Sequence, residues 1–347
     1  MPALRRHSDI LSRPPPEGLW ARPHLTGVNR LGKYLLKRLL AMAITLFLIV
    51  SILFFVIRLI PGAVAGEGAL PEIRIALEKR YYLDRPLWDQ YAIFLGNFLR
   101  FDFGESIALY PRSQVLDVIS GKIPLTLQLN LFSLALTLPV GMLLGVIAGL
   151  KKNTLTDNVI SLLVVFFISV PSFVFASLLQ YYFSFKLQLF PILLNLEADW
   201  SITKFHSMIL PILALSFGGI ATITRYLRSE LFEALNSEYM LLSRAKGLSQ
   251  LQSTLRHAIR NSFIPLCNVV VPMFTNLLGG SMVVENIFGI PGMGSLIAQS
   301  IGASDYYLTI ATLFFYSLIG LATILLMDLS YGLVDPRVRM GGGKVRE

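Results

Sequence analysis

Apolar and polar residues alternate along the chain in long blocks. Uninterrupted apolar runs occupy approximately 39–57, 125–150, 159–185, 208–224, 265–284 and 306–334. Each approaches or exceeds the ~20 residues that a helix needs to cross a bilayer, so the pattern predicts six membrane-spanning helices. The first run starts basic, like a signal peptide, but it is too long and no small-residue cleavage site follows it; it is expected to remain as a span. Pro61-Gly62 then stops it. Within 61–124, Leu87, Trp88, Tyr91, Leu95 and Phe98 recur at helical spacing. They predict a short amphipathic helix lying against the membrane or the bundle.

One polar block has a regular pattern of its own. In "SEYMLLSRAKGLSQLQSTLRHAIRNSFIPL", residues 237–266, two apolar stripes meet at a glycine. Leu231, Leu235, Tyr239 and Leu242 form the first; Leu248, Leu251, Leu255, Ile259 and Phe263 form the second. Gly247 stands where a left-handed helix cap is needed. Ser249 and Gln252 have the spacing of a capping box, so a second helix can start at once. The stretch reads as helix, tight turn, helix. An amphipathic loop resting on lipid headgroups needs no rigid turn at a set place, whereas a knob that docks in a cleft of another protein does.

Composition supports a membrane protein. The chain is 54% hydrophobic and 15% charged, with a mean hydropathy of +0.64, outside the range of soluble domains. Counting lysine and arginine in the segments between runs gives twenty on the side of the two termini and nine on the other. The positive-inside rule therefore predicts both termini and the 237–266 block in the cytoplasm. The net charge of +9 is mostly this topology signal and does not point to nucleic acid. The polar, proline-rich first residues have too little apolar content for a core and read as a disordered tail.

The chemistry available is limited. Cys267 is the single cysteine, which rules out an intrachain disulfide and a Cys-rich metal site. His7, His24, His206 and His257 are scattered, so no metal or other cofactor is expected. No Asp, Glu, Lys, Arg or His falls within 125–150, 159–185, 208–224, 265–284 or 306–327. That disfavours a proton relay, a membrane-embedded enzyme and a channel with a charged filter. A phosphate-binding loop is also missing, since Gly343-Lys344 is followed by valine. If ATP drives this chain, separate subunits hydrolyse it. Gln128, Asn130, Gln180, Asn268 and Asn276 either line a path or join helices. Glu285 and Asp328 sit close to span ends, as functional acids or as helix anchors. Asp335-Pro336-Arg337 is placed to close the last helix, and "LLGGSM" (277–282) would permit close helix approach.

Glu238-Tyr239, Arg244-Ala245-Lys246-Gly247, Arg256-His257-Ala258-Ile259-Arg260-Asn261 and Ile264-Pro265 resemble the coupling segment of ABC importer permeases. The version is similar to that of the dipeptide, oligopeptide and nickel permeases. Arg58-Leu59-Ile60-Pro61-Gly62, Leu83-Asp84-Arg85-Pro86, Gln90-Tyr91, Ser169-Val170-Pro171-Ser172-Phe173, Glu285-Asn286-Ile287-Phe288, Pro291-Gly292-Met293-Gly294 and Asp305-Tyr306 extend the resemblance over about 33–339. Three places depart from it. Phe101-Asp102-Phe103-Gly104 stands for Gly-Asp-Leu-Gly, Thr323 stands near where asparagine is expected, and the loop after span 3 lacks the glycine usual after its proline.

The resemblance implies an all-α membrane protein of the type I ABC importer permease fold, with six spans and a cytoplasmic coupling helix-turn-helix. It divides the chain into a tail 1–32, a permease domain 33–339 with external segment 61–124 and coupling segment 237–266, and a tail 340–347. It implies transport of di- or oligopeptides; nickel chelates, oligosaccharides or another solute are the alternative. The implied partners are two cytoplasmic ABC ATPases, a homologous second permease, an extracytoplasmic substrate-binding protein and membrane lipid. ATPase coupling would fall to Glu238, Tyr239, Arg244, Ala245, Lys246, Gly247 and Leu248.

Overall fold

The computed structural model describes residues 26–59, 71–196, 201–275 and 281–334, and among these every regular element is helical. Helix α1 (Thr26–Leu59) begins inside the stretch expected as tail. Two shorter helices follow, α2 (Pro71–Arg80) and α3 (Leu87–Phe98). The second is the predicted amphipathic helix. Tyr91, Phe94 and Phe98 pack inward against Phe54, Phe103 and Phe314, while Trp88 is 72% exposed.

Helix α4 (Val115–Leu150) and helix α7 (Ile202–Leu235) form the axis of the molecule. Gly141, Gly145 and Gly149 recur one helical turn apart on α4, and Ile223, Leu227 and Leu231 recur likewise on α7. A Cβ on any of the three glycines would come within 2.8–2.9 Å of its partner on α7, so only glycine permits this approach. The hydroxyls of Ser133 and Ser216 meet across the same seam at 2.9 Å, and Thr224 Oγ1 donates to the Gly141 carbonyl at 3.2 Å.

Between them the chain makes a broken span. Helix α5 (Leu155–Ser169) and helix α6 (Ser172–Leu179), continued as π-helix over Gln180–Lys186, are bent by 99°. The cause is local. Val170 precedes Pro171 and is extended at φ −92°, ψ 125°, since the proline ring disfavours helix in the residue before it. The Ser-Val-Pro-Ser motif is thus a bend.

After α7 come α8 (Glu238–Ala245), α9 (Gln250–Ser253) with a π turn over Thr254–Ala258, and α10 (Ile259–Thr275). Two short helices, α11 (Met282–Ile287) and α12 (Met293–Gly302), lead to α13 (Tyr306–Val334).

The described residues do not confirm six spans. Among them four helices are long and apolar enough to cross a membrane: Tyr34–Arg58 within α1, α4, α7, and Tyr306–Leu329 within α13. Counting the bent pair α5–α6 as one span gives five. The run 265–284 is helical over its described residues to Thr275, with Pro265 and Pro272 removing backbone donors inside it. A further helix is described from Met282. Residues 276–280, which carry Asn276 and most of the "LLGGSM" stretch, lie outside the described residues, as do Pro61-Gly62, residues 1–25 and Asp335-Pro336-Arg337.

Candidate functional site: a capped two-helix knob

The knob grows out of the end of α7. Asn236 and Ser237 turn the chain and α8 starts at Glu238; it ends at Ala245 with Arg244 in its last turn, where a cation suits the helix dipole. Gly247 has φ +88° and its N–H bonds the Arg244 carbonyl at 2.9 Å. A Cβ there would meet nothing within 4 Å, so the demand for glycine is conformational. The capping box is formed as the spacing predicts. Gln252 N–H donates to Ser249 Oγ at 3.3 Å, and Ser249 N–H donates to Gln252 Oε1 at 3.1 Å.

The knob buries only part of the two stripes, Leu231 fully and Leu235 and Ile259 in part. Met240, Ser243, Ser253, Thr254 and Ala258 point inward. Met240 and Ala258 close a small core with Leu231, Ala234 and Val146. Tyr239, Leu241, Leu242, Leu251 and Leu255 are left exposed. Of the residues the resemblance singles out, Glu238, Tyr239, Arg244, Ala245, Lys246 and Gly247 are exposed together on α8 and its turn, and Leu248 is half-buried. The result is a compact polar and apolar surface fixed at a defined angle to α7.

The acids flagged at span ends are helix anchors. Glu285, fully buried, accepts from Ser295 N–H at 2.7 Å and from Thr126 Oγ1 at 3.3 Å. Thr126 Oγ1 in turn accepts from Met293 N–H at 2.8 Å. Glu285 therefore caps α12 and ties it to α4. A Cβ on Gly292 would fall 2.5 Å from Thr126 Oγ1, and one on Gly294 would fall 2.6 Å from the Met282 nitrogen. That packing accounts for the Glu-Asn-Ile-Phe and Pro-Gly-Met-Gly motifs as one structural unit. Asp328 of α13 pairs with Arg38 of α1.

Two further anchors carry no signal in periodicity. Asp305 is fully buried and accepts from Ser106 Oγ and the N–H groups of Ile107, Ala108 and Leu109. Asp157 is 1% exposed and paired with Arg228 of α7. The glycines of α4 did carry a legible signal, their four-residue spacing.

Of the polar residues inside the apolar runs, Gln180 joins helices, donating to the Ile287 and Ile192 carbonyls at 2.8 and 2.9 Å. Asn130 lines a cavity of about 200 Å³ between α4, α7 and α10, with Ser133, Thr137, Gly219 and Met273. Gln128 Oε1 is buried without a hydrogen-bond partner among the described residues. The side chain of Asn268 lies outside them. Among the described residues no group of His, Cys, Asp and Glu could hold a metal ion.

Residues 141–340 match the family model described as binding-protein-dependent transport system inner membrane component. The dipeptide transport system permease protein DppB of Lactococcus lactis subsp. cremoris is 41% identical over 309 residues, covering 89% of this chain and 99% of that protein. The oligopeptide transport system permease protein OppB of Escherichia coli (strain K12) is 35% identical over 309 residues, covering 88% and 99%. Among solved structures, a chain of the MetNI methionine ABC transporter in inward-facing conformations superposes with a TM-score of 0.45 at 16% identity, over 62% of this chain and 97% of that one.

Proposed function

Since the chain belongs to the family of binding-protein-dependent transport system inner membrane components, we propose that it is the permease subunit of an ATP-driven importer of di- or oligopeptides. It forms the translocation path with a homologous second permease and receives peptide from an extracytoplasmic binding protein. The relatives named for dipeptide and oligopeptide transport favour peptide over nickel chelates or oligosaccharides. Two cytoplasmic ATPases hydrolyse ATP, because the chain has no phosphate loop of its own.

The observation that carries this reading is the knob. A capped turn holds Glu238, Tyr239, Arg244, Ala245, Lys246, Gly247 and Leu248 together, and the apolar side chains beside them have no cover. Such a surface suits a groove on an ATPase. Closure of two ATPases around ATP displaces the knob, and α7, continuous to its base, carries that displacement into the bundle because a helix does not absorb it as a loop would. The bundle then alternates between outward and inward openings as the nucleotide state shifts the population of the two forms.

Gly247→Val tests it. Valine at a left-handed position costs about 1–2 kcal/mol and displaces the turn without a clash. In a mild-detergent pull-down from native membranes, wild type is expected to retain two ATPases and a second permease. The variant is expected to insert normally, lose most of the ATPases and take up little labelled dipeptide. A wild-type chain recovered alone, or full uptake by the variant, would sink the assignment.

A further inference from the structure

Asp157 opens the first turn of α5 and Arg228 lies on α7, ten residues before the knob begins at Glu238. Arg228 Nε donates to Asp157 Oδ1 at 2.5 Å, and its second nitrogen, Nη2, donates to Oδ2 at 2.8 Å. Asn153 N–H adds a bond to Oδ2 at 2.9 Å, and Ser161 Oγ one to Oδ1 at 3.3 Å. Asn153 itself is held at φ +63° in the turn joining α4 to α5. The same turn touches α7 again where Lys152 Nζ sits 2.6 Å from the centre of the Phe232 ring. Beside Phe232 on α7, Leu231 packs under Gly149 and joins Met240 of the knob in one small core.

Asp157 is 1% exposed and its partner Arg228 32%, and such a half-buried ion pair is a poor choice for adhesion alone. Desolvating the carboxylate offsets much of the attraction, and apolar side chains of similar size hold two helices as well. What the pair adds is direction. Apolar contact is non-directional and permits sliding, whereas a two-point guanidinium–carboxylate contact fixes both distance and orientation.

We propose that Asp157 and Arg228 are a positioning pair for transport, which makes the 151–157 turn, and with it α5, follow every displacement of the knob. The inference rests on the reading of the knob as the ATPase docking point. Without the pair, α7 and the α4 packed along it move under the knob while α5 lags, and ATP is hydrolysed without peptide being carried.

The test uses the full transporter in liposomes, with its ATPases, second permease and binding protein. The readout is ATP hydrolysed per labelled dipeptide transported. Asp157→Asn keeps the acceptor for Asn153 but loses the charge; Arg228→Lys keeps the charge but loses the second donor. Each is expected to retain the ATPases in a pull-down and to raise the ratio by about five-fold or more, the low end of ordinary coupling between sites. The double variant is expected to be no worse than the singles, because the two residues act as one contact. A merely structural role would lower hydrolysis and uptake together, and an unchanged ratio with ATPases retained overturns this inference alone. If Asp157→Asn does not assemble, Arg228→Lys carries the test. Wild type without bound ATPases overturns the docking reading and this inference with it.

Discussion

Asp305 shows how much a single side chain does in this fold. Its carboxylate gathers the N–H groups of Ile107, Ala108 and Leu109 at 2.9–3.1 Å, and Ser106 Oγ, which donates to it, accepts the Tyr110 N–H at 2.8 Å. One acid thus closes the turn at 106–110. Removing it leaves buried donors unpaired, at about 1–3 kcal/mol each, so Asp305→Ala is expected to lower stability in detergent by about 3 kcal/mol or more. The exposed Asp84→Ala is the control, with both read by thermal unfolding. Equal shifts would mean that the carboxylate is not an anchor. The residue was visible in the sequence as part of a motif, but its role was not. Its donors lie 196 to 199 positions earlier, and no local pattern relates them. Asp157 and Arg228 were hidden for the same reason, since Arg228 counted only as one more basic residue on the terminal side.

At the scale of elements, periodicity was informative where an element depends on its own residues. Ser249 and Gln252 predicted a capping box that the helix start contains, and Gly247 predicted a left-handed turn. Leu87 to Phe98 predicted α3. Hydropathy failed where backbone geometry overrides it. An apolar run says nothing of the bend that Pro171 imposes on 159–185. The stripe Tyr239–Leu242 was also ambiguous, because apolar residues on a docking surface look like apolar residues facing a core. The α4–α7 seam yields an element-level prediction with a sign. Gly145→Ala puts a Cβ 2.8 Å from Leu227 Cβ, and overpacking of this kind costs about 1–3 kcal/mol. Gly218→Ala on α7 meets nothing within 4 Å and gains helix propensity of up to about 1 kcal/mol. Thermal stability in detergent is expected to fall for the first and hold or rise for the second. If both alanines behave alike, the glycines do not set the approach of the helices.

At the scale of the whole molecule, the two ends of α4 belong to different machinery. Its 36 residues span about 54 Å at 1.5 Å per residue, longer than a bilayer including its headgroups. Val115 and Ile119, at one end, pack in the core that holds Tyr306 and the inner face of α3. Val146, near the other, packs against the base of the knob. The knob and the α3 region therefore lie on opposite sides of any membrane the helix crosses. Lysine and arginine counts predict the knob in the cytoplasm, and the proposed ATPase partner can reach it only there. In a chain carrying Cys267→Ala, a membrane-impermeant thiol reagent is expected to label Arg100→Cys, just after α3, in intact cells. It is expected to label Ser249→Cys, at the capped turn, only in inverted vesicles. Both positions are exposed, so reactivity reports sidedness rather than burial. The reverse pattern would put the knob outside, where no ATP is available, and the coupling role would fall with it even if the fold were correct in every other respect.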